Sequence, residues 1–399
     1  MSDDRGAPDA RDFFGYKHRD EEPGRRSVFS DEEADEELAP PQLDEAITLD
    51  DPAVIKKIDL ENMLGAVEQL PRQLVLARRV AQAVELPDRY RQANVVLVLA
   101  MGGSAIGAEL VEAAAGERLR VPVVVHRGYE LPAWAGERTL VIAASHSGET
   151  AETLAAASEA LQRNLPLAVI STGGRLGQMA TNARIPYLHY AMAGQPRAAV
   201  GFGVGLVHEL LAAAGLLADP DPFGPVVETV DRILERNALS VPTDENAAKQ
   251  LAWSLFGRMP VIYGAGPMAA VAHRWKTQLN ENAKAWASYE PMPEANHNAL
   301  EGSLNPRELG DAPYVVQLRD PEEAAEIAAR YRIVEELLGE RATNRSVVWA
   351  EGGSRLARVL ATVAFGDLVS VYLAVLYQTD PTPVTLLAML KERLARATD

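Results

Sequence analysis

The sequence ANVVLVLAMGGSAIG, at residues 93–107, combines two signals that together indicate the class of fold. Its first half is a short, continuous, Val-rich apolar run, which is typical of a strand buried on both faces of a parallel sheet. Its second half consists of small residues that lead directly into a helical pattern, as expected where such a strand turns into a helix. The segment therefore predicts the opening strand, turn and helix of an α/β domain.

The same alternation of strand and helix recurs along the chain. Further strands are predicted at residues 120–126 (RVPVVVH), 138–145 (RTLVIAAS), 165–172 (LPLAVIST) and 184–190 (RIPYLHY). A second α/β unit starts with MPVIYGAGPMAAVAHRWKTQLNENAKA at residues 259–285, and its Gly-containing turn is similar to the first one. The sequence therefore predicts two doubly wound α/β domains with parallel sheets, and it suggests an internal duplication.

Length and charge divide the chain further. A chain of 399 residues is longer than one ordinary core usually holds, so two domains are expected. Residues 1–50 carry 16 acidic and 6 basic side chains, too polar a stretch to offset the entropy of ordering. We therefore expect a disordered acidic tail at 1–45, leading helices at 46–90, a first α/β domain at 91–220, a second at 221–380 and a C-terminal helix at 381–399.

The overall composition argues against several classes of function. The 39 Lys and Arg residues against 56 Asp and Glu give a net charge of −17, so neither a nucleic acid nor a membrane is expected as a partner. With 0 cysteines, disulfides and thiolate chemistry are excluded. The first residues do not have the pattern of a signal peptide, and no stretch reaches the ~18 uncharged apolar residues of a membrane span. We therefore expect a cytoplasmic location.

Gly102, Gly103 and Ser104 form the turn after the first predicted strand. Ligands of parallel sheets bind outside the carboxyl ends of the strands, and glycines let a helix N-terminus approach an anion closely. The spacing is neither that of a dinucleotide-binding GxGxxG motif nor that of a Walker P-loop, which argues against NAD and ATP. This turn is either part of an anion site or a structural strand–helix connection.

A second turn, SHSGETAET at residues 145–153, carries four hydroxyls around one glycine: Ser145, Ser147, Thr150 and Thr153. Hydroxyl and backbone donors at a helix N-terminus make an uncharged cradle for a phosphate dianion. The plainer alternative is an ordinary helix N-cap, but a cap needs only one of these hydroxyls. The sequence therefore predicts that this turn binds an anion such as a phosphate.

These two turns resemble those of the sugar isomerase (SIS) domain family, which binds phosphosugars. Three further motifs follow in order: LNENAK at residues 279–284, PEANHN at 293–298, and DPTP at 380–383 with Lys391 after it. The whole set, across roughly residues 50–399, resembles the bifunctional phosphoglucose/phosphomannose isomerases. The resemblance implies two SIS domains and a metal-independent aldose–ketose isomerase without a cofactor.

The resemblance also implies roles for four residues. Glu281 matches the glutamate that moves a proton between C2 and C1, a task that requires a carboxylate base. His297 with Lys391 would open the sugar ring, and Arg197 would stabilise the enediolate. From the residues alone, Glu281 could equally be a surface glutamate paired with Lys284, and Lys391 a charge at a helix end.

We expect interconversion of glucose 6-phosphate and mannose 6-phosphate with fructose 6-phosphate. The resemblance further implies a homodimer with the active site at the interface, where His297 reaches the partner's site. The carboxylates and histidines lack the spacing of a zinc site, so no metal is expected. Two alternatives stay open at this point: a non-catalytic phosphosugar-binding regulator and an isomerase of another phosphosugar.

Overall fold

Two fully parallel β-sheets organise the chain in the computed structural model, which describes residues 47–306, 309–310, 312–339 and 344–398. The first sheet has the order β2-β1-β3-β4-β5, with the strands β1 (Val95–Leu99), β2 (Val123–His126), β3 (Thr139–Ala144), β4 (Leu167–Ser171) and β5 (Tyr187–His189). The second has the order β7-β6-β8-β9, with the strands β6 (Met259–Ala265), β7 (Ser288–Met292), β8 (Pro313–Arg319) and β9 (Arg345–Trp349).

Helices connect and cover these strands. Before and within the first half they are α1 (Pro52–Ile58), α2 (Met63–Val67), α3 (Leu70–Gln82), α4 (Gly102–Ala115), α5 (Ala151–Gln162), α6 (Gly174–Ala183) and α7 (Val200–Ala213). In the second half they are α8 (Phe223–Arg236), α9 (Ala247–Leu255), α10 (Pro267–Glu281), α11 (Ala299–Gly302), α12 (Ala325–Leu338), α13 (Arg355–Leu376) and α14 (Thr385–Thr398). The two parallel α/β units of the prediction are confirmed.

The two sheets share one topology. In each, the first strand of the half lies between the second and the third, and the fourth lies outside the third. Among the described strands, the two orders differ in the additional edge strand β5 of the first sheet. This correspondence is what an internal duplication would produce, as the similar opening turns of the two halves suggested.

The strand β3 shows why the first sheet forms. All six of its residues, TLVIAA, are buried, because helices cover both faces of the sheet. β3 pairs with β1 on one side and with β4 on the other, in registers such as Leu97↔Val141 and Val141↔Leu167. The carboxyl ends of β1 and β3 are therefore neighbours, and the turns that follow them meet at the same edge of the sheet.

The two halves pack on each other through helices, with α4 of the first half against α10 and α13 of the second. α13 lies in the main hydrophobic core, and both sheets belong to one compact unit. Among the described residues, α13 is the one helix that is long and apolar enough to cross a membrane, and 94% of its most apolar window is buried within the protein. Its length and hydropathy thus reflect its central position in the core.

The structure differs from the sequence prediction at some elements. The leading helices expected at 46–90 are α1, α2 and α3. The strand β7 was not predicted at all. The expected disordered tail at 1–45 lies outside the described residues, and the domain boundaries stay a prediction.

Candidate active site

The two turns predicted to bind a phosphate lie side by side. α4 begins at Gly102, directly after β1, and the second turn connects β3 to α5. The backbone N–H of His146 donates a hydrogen bond of 3.2 Å to Ser104 Oγ, which joins the two turns. The structure therefore brings residues 102–104 and 145–153 together at the carboxyl edge of the first sheet.

The hydroxyls of the second turn are organised by backbone donors. Ser145 Oγ accepts from the N–H of Gly148 at 3.1 Å and lies 2.9 Å from Thr150 Oγ1. Ser147 Oγ accepts from the N–H of Glu149 at 3.2 Å. A hydroxyl that accepts a backbone N–H still has its own proton to donate, so Ser147 and Ser104 can each offer an O–H to an anion.

The shape of the second turn depends on Gly148. Its φ is +70°, in the left-handed region, and a Cβ built there would lie 2.0 Å from the carbonyl oxygen of Gly173. Only glycine fits such a position without displacing backbone. Within the described part of the chain, the buried hydroxyl of Thr153, one turn further along α5, has no hydrogen-bond partner.

His146 is a buried residue of the second turn. Its Nδ1 lies 2.9 Å from the hydroxyl of Tyr190. Burial lowers the pKa of the imidazole, so it is neutral near pH 7. His146 belongs to the second turn, and its backbone N–H contacts the first, so it connects the two turns rather than supplying a positive charge to a phosphate.

Arg197 lies at the centre of a dense set of contacts. It belongs to a 3₁₀ turn, Pro196–Ala199, and only 2% of its side chain is exposed. Its Nε donates to Asn282 Oδ1 at 2.6 Å, and Nη2 donates to the carbonyl oxygens of Pro381 and Thr382 at 2.7 Å each. These contacts hold the guanidinium in one orientation.

Glu281 is the last residue of α10 and faces this arginine. Its Oε2 lies 3.4 Å from Arg197 Nη1, and 29% of its side chain is exposed. Burial lowers the pKa of Arg197 while the charge of Glu281 opposes that effect, and an arginine stays protonated at neutral pH. The structure thus pairs a fixed buried cation with a carboxylate that solvent or a ligand can reach.

The ion pair lies next to the turns that are predicted to bind a phosphate. A Cβ built on Gly103 would be 3.1 Å from the backbone nitrogen of Arg197 and 3.2 Å from its Cα. The first turn of α4 therefore packs directly on the backbone of the arginine turn. This close approach explains why a glycine occupies position 103.

A buried ion pair between Arg274 and Asp367 contacts the backbone of Arg197. Arg274 on α10 donates from Nη2 to the carbonyl oxygen of Arg197 at 2.8 Å and to Asp367 Oδ2 on α13 at 2.6 Å. Both Arg274 and Asp367 are buried. Asn282 is also buried and donates to Ser370 Oγ on α13 at 2.9 Å. The second half of the molecule therefore fixes the position of Arg197, which the first half supplies.

His297 and Lys391 are not joined to this pair. His297 ends a 3₁₀ turn, Glu294–His297, and its side chain is exposed. Lys391 is exposed on α14. Within the described residues, neither side chain makes a hydrogen bond or ion pair with Glu281 or Arg197. Within one chain, the structure therefore brings together two of the four predicted catalytic residues, Glu281 and Arg197.

Sequence reasoning assigned no role in the site to three residues that organise it, namely Asn282, Lys284 and His146. The signal was present in part, because the quoted motifs LNENAK and SHSGET contain all three. The pairing of the Glu281 side chain with Lys284, which the sequence left open as an alternative, does not form: Lys284 donates to the backbone carbonyl of Glu281, at 2.9 Å, whereas the carboxylate of Glu281 faces Arg197.

Family models identify the class of protein that this fold and site define. The "SIS domain" model matches residues 89–202, and the "Bacterial phospho-glucose isomerase C-terminal SIS domain" model matches residues 244–394. The fold agrees: a hypothetical protein of known structure from Thermus thermophilus superimposes with a TM-score of 0.66 at 18% identity, covering 86% of this chain and 94% of the other. The chain is therefore a protein of two SIS domains.

Curated relatives give the family. The bifunctional phosphoglucose/phosphomannose isomerase of Caldicellulosiruptor bescii is 34% identical over 339 residues, which are 84% of this chain and 100% of the relative. This chain belongs to the bifunctional phosphoglucose/phosphomannose isomerase family. A more distant relative, the D-glucosamine-6-phosphate 4-epimerase of Sulfolobus acidocaldarius, is 29% identical over 53% of this chain and 64% of its own length.

Proposed function

We propose that this protein interconverts glucose 6-phosphate and mannose 6-phosphate with fructose 6-phosphate. The observation that carries the proposal is the Arg197–Glu281 pair, which lies beside a hydroxyl-lined turn suited to a phosphate. The names of the curated relatives in the same family support the same pair of substrates.

The proposed reaction moves one proton between neighbouring carbons of the open-chain sugar. Glu281 takes the proton from C2 of the aldose and returns it to C1, while the hydroxyl proton of O2 passes to O1, and the reverse reaction uses the same carboxylate. The intermediate is a cis-enediolate, whose negative charge Arg197 balances from its fixed position. In this mechanism the guanidinium supplies the positive charge, and no metal or cofactor takes part.

The phosphate of the substrate is held by the two turns. We assign this role to Gly102, Gly103 and Ser104 with Ser145, Ser147, Thr150 and Thr153. The helix N-termini of α4 and α5 contribute backbone donors and the positive ends of their dipoles. Holding the phosphate here fixes C1 and C2 near Glu281, because the first turn packs on Arg197.

Ring opening is assigned to His297 and Lys391 in a homodimer. Both side chains are exposed in one chain, and within the described residues neither makes a hydrogen bond or ion pair with the carboxylate that they should assist. We propose that His297 completes the site of a second copy. In support, the helix that carries Lys391 exposes the large apolar side chains of Leu386, Leu387 and Leu390, which a second copy would cover.

A cytoplasmic location belongs to the same proposal, because sugar 6-phosphates are charged metabolites that cells retain. A second candidate function is the isomerisation of another phosphosugar, which the relationship to a glucosamine-6-phosphate epimerase favours. A non-catalytic regulator explains the structure less well, since a sensor needs the phosphate turns but not an accessible carboxylate paired with an arginine.

A coupled assay tests the proposal. Glucose 6-phosphate and mannose 6-phosphate are supplied separately, with EDTA present, and fructose 6-phosphate is followed. We expect turnover of both sugars. Turnover of glucose 6-phosphate alone would contradict the second activity, and a requirement for metal would contradict the mechanism. If neither sugar reacts while fructose 6-phosphate still raises the Tm, a sensor or another phosphosugar is the better assignment.

A further inference from the structure

The ammonium group of Lys284 joins two segments of the candidate active site that are far apart in sequence. We propose that Lys284 is a positioning residue, which holds the end of α10 against residues 380–381 and thereby keeps the carboxylate of Glu281 against Arg197. This inference rests on the proposed function and deepens it.

Four backbone carbonyls surround the Lys284 ammonium. Nζ donates to the carbonyl oxygens of Glu281 at 2.9 Å and Asn282 at 3.2 Å, at the end of α10. It also donates to those of Asp380 at 2.8 Å and Pro381 at 3.0 Å. An ammonium has three protons and no acceptor, so a group of carbonyls at the negative end of a helix dipole suits it well.

The same carbonyls connect Lys284 to the arginine. Pro381 O accepts from Lys284 Nζ and also from Arg197 Nη2, at 2.7 Å. Asn282 provides a carbonyl to the lysine and its side-chain oxygen to Arg197 Nε. Loss of the ammonium would therefore loosen the end of α10, where Glu281 sits, without removing any group that touches the substrate.

The backbone at this position favours a different residue. Lys284 has a φ of +52°, in the left-handed region that L-residues with a Cβ rarely adopt and that glycine adopts freely. A lysine here costs backbone stability, and such strain persists where the side chain has a task. Here the task of the side chain is to bring its ammonium group to the four backbone carbonyls.

The ammonium group of Lys284 loses its proton within a pH range in which an enzyme can be assayed. Burial and the nearby charge of Arg197 lower the pKa of Lys284 to about 8, while the charges of Asp380 and Glu281 oppose that shift. Burial lowers the pKa of Arg197, and the charge of Glu61 in turn opposes that shift. The protonated amine makes the full set of contacts, so these contacts are complete below about pH 8 and weaken as the pH rises through that value.

The test uses Lys284→Gly, which removes the ammonium and suits the backbone. We expect kcat to fall by about 10- to 100-fold, as when a reacting group is misplaced by about 1 Å, with KM changed less than about threefold because the phosphate turns are untouched. We expect the Tm not to fall, since glycine adopts this φ freely. The matched control is Arg184→Gly, at a similar φ of +53° on the exposed end of α6, and it should leave kcat unchanged.

The pH profile of kcat separates this role from a purely structural one. The wild type should lose activity as the pH rises through about 8, Lys284→Gly should lack that decline, and Lys284→Arg should recover part of kcat and keep it at higher pH. An active wild type with an unchanged kcat and pH profile in Lys284→Gly would overturn the inference. A parallel fall of kcat and Tm would also overturn it. A wild type that converts neither sugar would instead refute the proposed function.

Discussion

The Arg197–Glu281 pair combines two side chains of very different exposure. The arginine is 2% exposed and the glutamate 29%. Because Asn282 and the carbonyl of Pro381 hold the guanidinium, the cation needs no reorganisation when negative charge develops on a ligand. The carboxylate keeps the freedom to meet a substrate, which is what a base that serves two adjacent carbons requires.

The substitution Glu281→Gln tests the assignment of the base. It keeps the shape of the side chain but removes the proton acceptor, so we expect kcat to fall by about 10²- to 10⁴-fold, the usual contribution of a general base. The fold should remain intact because the other contacts of Arg197 survive. Turnover would be measured on both sugar phosphates, with the exposed Glu326→Gln on α12 as the control. Near-normal turnover of Glu281→Gln would refute the assignment.

At the scale of elements, the two turns at the carboxyl edge of the first sheet are the part of the site that the sequence predicted best. A buried strand followed by small and hydroxyl residues is a local pattern, and its geometry is set within about ten residues. The strand β7 is the opposite case. Its sequence SYEPM includes a proline and polar residues, and it lies at the edge of its sheet, where a residue without an N–H is tolerated.

The substitution Gly148→Ala tests how rigidly the second turn is built. Its positive φ and a Cβ 2.0 Å from the carbonyl oxygen of Gly173 predict a loss of stability on the order of 2–4 kcal/mol. Thermal unfolding would measure it, and activity should fall because the hydroxyls are displaced. The control is Gly224→Ala on α8, where nothing lies within 4 Å and the helix gains up to about 1 kcal/mol. A Tm of Gly148→Ala equal to that of the wild type would contradict this account of the turn.

At the scale of the whole molecule, the candidate site is assembled from both halves. Arg197 comes from the first half and Glu281 from the second, and the buried Arg274–Asp367 pair connects α10 with α13 beneath them. Removing one member of a buried ion pair usually destabilises more than the pair itself stabilises, so such a contact fixes the arrangement of the helices. The packing of the two halves is therefore a condition for the site.

The proposed homodimer is tested by the double variant Leu386→Asp/Leu390→Asp, which places charges one helical turn apart on the exposed side chains of α14. We expect sedimentation to give the wild type twice the 43.1 kDa mass of one chain, and the variant to be monomeric with reduced turnover. Leu337→Asp on α12, where the leucine is 63% exposed, is the control and should leave the dimer intact. A fully active wild-type monomer would contradict the shared site.

The sequence by itself determined the parallel α/β class, most of the strands, the two turns of the predicted phosphate site, and the family to which the chain belongs. These follow from local patterns, in which hydrophobicity, glycines and hydroxyls act over a few neighbouring residues. Tertiary structure decided which distant residues meet. That Arg197 contacts Glu281 and Asn282 depends on how the two halves pack. That Lys284 reaches the carbonyl of Asp380 depends on how the second half itself folds. Contacts across more than 80 residues of chain leave no periodicity in the sequence, because they are set by the burial of helices α10 and α13 in a common core.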